Sequence, residues 1–186
     1  MASQVESQNG DASKTAPSHI LRLEHEDSEA AEILIFYIVT GRLPDATSID
    51  SMTFPAFANL IDSWILGCSY QIVEFMDLVM LELIRRAEGG ENDWDHAKVA
   101  IRKRPHSKLA RLLVEEIVVD LEVRRNVTWE MIELFEGTVG FLGQLGSAKG
   151  ELQMRDGKAW RRFEDEGDLW KEYMTGDGPK KHWVLK

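Results

Sequence analysis

A chain of 186 residues, 44% of them apolar, has enough hydrophobic material for one buried core, which excludes disorder throughout. Its formal net charge of −10 is uneven: residues 1–90 hold five bases against fourteen acids, residues 91–146 eight against ten, and residues 147–186 nine against eight. So acidic a front half repels phosphate backbones and anionic head groups, making nucleic acid and membrane surfaces poor partners for it.

Residues 1–18 are rich in Ser, Gln, Asn, Asp and Ala and bury too little to offset chain entropy, so they are expected to be disordered. They contain no apolar core of a signal peptide, and no later apolar run approaches the roughly 20 residues that span a bilayer. An intracellular protein, cytoplasmic or nuclear and not secreted, is the expectation. Cys68 is the single cysteine, which rules out an internal disulfide and fits a reducing compartment.

The alternation Ile20, Leu21, Leu23 predicts at most one short strand near 19–23. Every residue from Ile33 to Val39 is apolar, so periodicity does not separate strand from helix there. The flanks decide it: Asp27 or Ser28 can cap, Glu29 and Glu32 suit the first turns, and Gly41 suits a left-handed stop. A helix over about 28–40, buried on nearly all sides, follows.

Thr53 and Pro55 open a second helix whose Phe57, Leu60, Ile61, Trp64, Ile65 and Cys68 share one face. A third repeats the pattern through Ile72, Phe75, Met76, Val79, Met80, Leu83 and Ile84, with Glu74, Asp77 and Glu82 outward, and ends at Gly89-Gly90. Three further helices are expected at about 94–103, at 108–124 after a Ser107 cap, and at 129 to about 142 after Thr128. With secretion not expected, Thr128 reads as that cap and not as part of a glycosylated Asn126-Val127-Thr128 sequon. Residues 147–186 turn charged and glycine-rich yet keep Trp160, Phe163, Trp170 and Tyr173, predicting a short helix at about 158–174.

In order, the acidic segment Leu23 to Glu29, the helix end Val39-Thr40-Gly41-Arg42-Leu43-Pro44, the junction Gly67-Cys68-Ser69-Tyr70-Gln71-Ile72 and the helix Ser107 to Val114 resemble fungal BTB/POZ proteins. In that family a Leu-Pro-Glu-Asp-Asp-Pro-Glu-like segment, a Tyr-Thr-Gly helix end, an Ala-Asp-Lys-Tyr-like junction and a Ser-Pro-Leu-Arg-rich helix occupy these places. Here Glu24 and Ser28 stand where prolines often occur, Val39 replaces the tyrosine, and three positions before Tyr70 depart. The resemblance covers residues 19–122.

It implies the helical half of a BTB/POZ α+β fold at 19–90, a helical extension at 91–146 and a charged, Trp-containing tail at 147–186. The strands and helical hairpin of the family's first half do not fit before His19, so a truncated member is expected. The exposed apolar faces would then be covered by another chain or by the 91–146 helices and the tail folding back.

No catalytic, cofactor or metal residues are expected. His19, His25, His96, His106 and His182 are scattered without zinc-site spacing, and His25-Glu26-Asp27 are adjacent residues that do not share a helix face. Cys68 lies on an apolar helix face with no basic neighbour to activate it. No phosphate-binding glycine motif occurs, and Gly137, Gly140, Gly143 and Gly146 read as a fraying or closely packed helix.

The expected function is non-enzymatic protein binding, as an adaptor or scaffold. The resemblance implies a cullin-type ubiquitin ligase for some relatives, and self or hetero association of BTB type. Tyr37, Trp64, Tyr70, Trp160 and Trp170 are the expected partner-binding residues. The alternative is a free-standing helical regulatory factor whose basic, aromatic tail associates with nucleic acid.

Overall fold

Local chemistry sets most of the helix ends. The computed structural model describes residues 28–44, 55–155, 159–160, 162–163 and 169–178, and these are mainly α-helical with no strand among them. The expected disordered N-terminus, the short strand at 19–23, His25-Glu26-Asp27 and Thr53 lie outside the described residues.

Helix α1 (Ser28–Thr40) stops where Gly41 adopts a left-handed φ of 71° and donates its N–H to the Tyr37 carbonyl at 2.7 Å. Helix α2 (Phe57–Ser69) starts after Pro55 and Ala56. It turns into α3 (Val73–Glu88) through Gln71, whose φ of 57° lets Ile72 N–H reach the Gly67 carbonyl at 2.9 Å.

Asp93 begins α4 (Trp94–Lys103) by accepting the His96 N–H at 3.0 Å, and Ser107 begins α5 (Lys108–Val119) by accepting the Ala110 N–H at 3.0 Å. One π-helical turn, Asp120–Arg124, prolongs α5 to the expected end. Thr128 does stand at the start of α6 (Trp129–Ile132), but its side chain accepts no backbone N–H there.

The Asp93 cap carries a testable consequence. Burial alone would raise its carboxyl pKa, but the His96 backbone N–H and side chain outweigh that and hold it below the usual aspartate value. A lowered folded-state pKa stabilises the fold above the ordinary aspartate range and loses that contribution as pH falls through the lowered value. Asp93→Ala is expected to cost about 0.5–2 kcal/mol in chemical denaturation at neutral pH. The difference from wild type should shrink towards pH 3; an equal difference at both pH values would refute the cap.

The helix expected from 129 to about 142 is interrupted. After α6 the chain tightens into a 3-10 turn, Glu133–Phe135, and then reverses through Gly137 and Gly140, both at positive φ. Phe135 and Phe141 both enter the core, with rings stacked 4.5 Å apart, so burying two aromatics wins over continuing the helix. Helix α7 (Phe141–Met154) therefore begins about where the earlier helix was expected to end. Gly143 and Gly146 sit inside it with open space where a Cβ would stand, so they mediate no close packing.

Helix α5 is the central rod, buried at every position from Leu112 to Val119. Helices α3, α4 and α7 pack around it, α2 packs on α3 and α4, and α1 lies outermost against α2. The short 3-10 segment Leu169–Tyr173 returns across α3 and α5. Of the expected helix over 158–174, only this segment is helical among the described residues.

Candidate interaction surface

Twisting a helix by 100° per residue puts Ala30, Ile33 and Leu34 on one side of α1 and Glu32, Ile35, Ile38 and Val39 on the other. The first set is buried against the bundle. Ile35, Ile38 and Val39 are 52, 58 and 78% exposed, so α1 is not buried on nearly all sides as its composition suggested. A uniformly apolar run conceals which face the fold will use. The available signal lies just upstream, since Ser28 and Glu32 share the face of Ile35 and Val39.

Helix α1 is fastened from behind. The Tyr37 ring lies 5.1 Å from the Phe75 ring, and its hydroxyl reaches the Glu74 carboxylate at 3.5 Å. Burial first, then the Glu74 charge and hydrogen bond, raise the Tyr37 pKa above the usual tyrosine value. Asn59 of α2 donates to Glu29 of α1. These ties hold the outward stripe as a preformed surface.

The five residues expected to bind partners are placed differently from one another. Tyr37 and Tyr70 are half-buried and remain within reach of solvent. Trp64, Trp160 and Trp170 are only 2, 6 and 3% exposed, so in this conformation they are core side chains and offer no anchor to a partner. Exposed large apolar residues that the sequence does not single out include Ile35, Ile38 and Val39, the scattered Val139, Leu142 and Met154, and, on α6, Trp129, over which the Lys149 ammonium lies 5.4 Å from the ring centroid.

The tail is held by charge as well as by tryptophan. Arg162 is fully buried and donates to Glu116 and Glu115, each at 2.7 Å. The Tyr173 hydroxyl also donates to Glu115, Arg111 Nε donates to it at 2.9 Å, and Arg124 donates to Glu116 at 3.1 Å. Burial by itself would lower the Arg162 pKa, but Glu116, Tyr173 and Glu115 drive it far above the ordinary arginine value, so the guanidinium stays charged. The tail loop is fixed too: Asp77, expected on the outer face of α3, is buried and accepts the backbone N–H groups of Thr175 at 2.5 Å and Gly176 at 3.0 Å.

A groove of about 570 Å³ lies between the start of α5 and α7, lined by His106, Ser107, Arg111, Gln144, Ser147 and Glu151 among others. Its arginine is committed, bonding Glu115 and pairing with Glu172 at 3.1 Å. His96 lies between Asp93 at 3.1 Å and Asp62 at 3.6 Å, a tie between α4 and α2. Among the described residues no three His, Cys, Asp or Glu side chains converge as metal ligands, and no helix is long and apolar enough to cross a membrane.

No family model matches the chain, and no curated protein or solved structure matches it either. The outward stripe of α1 is the feature of this surface with the clearest chemical reading. It offers branched apolar side chains on a braced helix, which suits binding protein and supplies no reacting group.

Proposed function

We propose that the chain is a non-catalytic protein–protein interaction module of BTB/POZ type, acting as an adaptor or scaffold. The observation that carries this reading is the exposed stripe Ile35, Ile38 and Val39 on a helix anchored through its opposite face. Apolar residues three and four positions apart on one exposed helix face are what a partner helix or groove engages. The ordered resemblance over residues 19–122 supports the BTB/POZ assignment. A cullin-type ubiquitin ligase is the partner class it implies.

The nucleic-acid reading of the tail gains no such support. Trp160 and Trp170 have their faces inside the core, and Arg162 commits its charge to Glu115 and Glu116.

The test is affinity capture from cell extract with the full chain, wild type beside Ile38→Asp, followed by mass spectrometry. Wild type should retain a partner set that Ile38→Asp loses, with a cullin or another BTB protein in it. Equal capture by both proteins would refute the α1 surface. A partner set containing neither a cullin nor a BTB protein would remove the adaptor assignment.

A further inference from the structure

We infer that the corner joining α4 to α5 is a second docking surface, separate from the α1 stripe, and that it takes a short acidic segment of a partner protein. Residues 96–114 hold six of the chain's 22 lysines and arginines and none of its 32 aspartates and glutamates. Two of the six are committed: Lys108 donates to the Met174 carbonyl, and Arg111 pairs with Glu115 and Glu172. The other four, Lys98, Arg102, Lys103 and Arg104, form no ion pair among the described residues, although acids outnumber bases in the chain. Arg85 and Lys149, by contrast, pair with Glu82 and Glu122.

The fold keeps these charges together and outward. Ala97, Ala100 and Ile101 of α4 face the core, so the turn of the helix points Lys98, Arg102 and Lys103 away from it. Arg102 is held by neutral acceptors, Nε by the Thr138 hydroxyl at 3.1 Å and Nη2 by the Glu136 carbonyl at 3.0 Å, which fixes its position and leaves its charge uncancelled. The Arg104 carbonyl accepts the Ser107 N–H at 3.0 Å and the Ser107 hydroxyl at 2.8 Å, closing the turn directly behind. The C-terminal end of α4 supplies about half a negative charge, too little to balance three consecutive bases. Lys98 and Arg102 stand about 6 Å apart along the helix. Side chains on alternate residues of an extended segment stand about 6.6–6.8 Å apart, so acids at such positions set one carboxylate on each base. Val99, one turn before Arg102, and Val139, next to the Thr138 that Arg102 holds, are both exposed and give a protein segment apolar contact that a phosphate backbone cannot use. A nucleic-acid strand or an anionic bilayer also extends past the corner over a chain of net charge −10 and is repelled there, whereas a short peptide is not.

The test is fluorescence anisotropy of a fluorescein-labelled decapeptide alternating Glu and Ala, titrated with the full chain at about 0.05 M salt. Saturable binding is expected, weakened as salt is raised. Lys98→Glu with Lys103→Glu should weaken it by about tenfold or more, and neither lysine makes a bond among the described residues whose loss would disturb the fold. Arg42→Glu with Arg85→Glu makes the same change in net charge outside the corner and should stay within about twofold of wild type, with unchanged circular dichroism for both double variants. Absence of saturable peptide binding, or an equal loss in the two double variants, would overturn the inference. Tighter binding of a labelled single-stranded DNA or of phosphatidylserine vesicles than of the peptide would overturn it too. Ile38→Asp should bind the peptide as wild type does, so this surface and the α1 stripe stand or fall separately.

Discussion

Replacing Arg162 by methionine should destabilise the protein by about 3–5 kcal/mol, because it leaves two buried carboxylates without the cation that joins them. Glu115 and Glu116 are adjacent on α5 and almost fully buried, and both bond the same guanidinium. Each keeps one further arginine, Arg111 or Arg124, which holds the loss near the lower end of that range. Urea denaturation measures the difference, and the fluorescence of Trp160 and Trp170 should report a tail that leaves the core.

Without Arg162 the two adjacent buried carboxylates lose the cation they share, so their desolvation and mutual repulsion carry the loss. Adding Glu115→Gln and Glu116→Gln to Arg162→Met should recover part of the loss at neutral pH. A deficit below about 1 kcal/mol would show that the buried network does not hold the tail.

Phe75→Ala is expected to cost about 3–5 kcal/mol, and to weaken binding at α1 although Phe75 never reaches the surface. Its ring has no exposed area and lies between Tyr37 of α1 and Gly67 of α2. The fit on Gly67 is tight enough that a Cβ there would stand 2.8 Å from Phe75 Cδ1. Removing the ring opens a cavity where α1, α2 and α3 meet, and takes away the aromatic face against which Tyr37 rests. For a chain of this size the loss corresponds to a melting temperature lower by roughly 6–20 °C. Phe75→Leu should lose much less, because most of the volume is retained. A small effect of Phe75→Ala on both melting temperature and capture by the α1 stripe would refute Phe75 as the brace.

Helix limits that depend on neighbouring residues were legible in the sequence. Gly41 ends α1, Asp93 and Ser107 cap α4 and α5, and the mainly α character of the described residues follows from the spacing of apolar residues between these signals. The π turn at Asp120–Arg124 leaves the expected limit of α5 in place. The break after α6 was harder to see, because Gly137 and Gly140 can be tolerated in a helix until Phe135 and Phe141 compete for the same core.

By itself the sequence determined helices α1 to α5, their order and several of their caps, since these rest on contacts within one or two turns of chain. Tertiary structure alone decided which sides of those helices meet solvent. Glu115 finds Arg162 across 47 positions and Asp77 finds Thr175 across 98, and such pairs have no periodic trace in the sequence. The same holds for α1, where seven consecutive apolar residues could have buried any face. Packing of Leu34, Tyr37 and Phe75 chose one and left Ile35, Ile38 and Val39 outside. The candidate surface is thus a product of long-range burial, because only the removal of one face from water distinguishes it from the other.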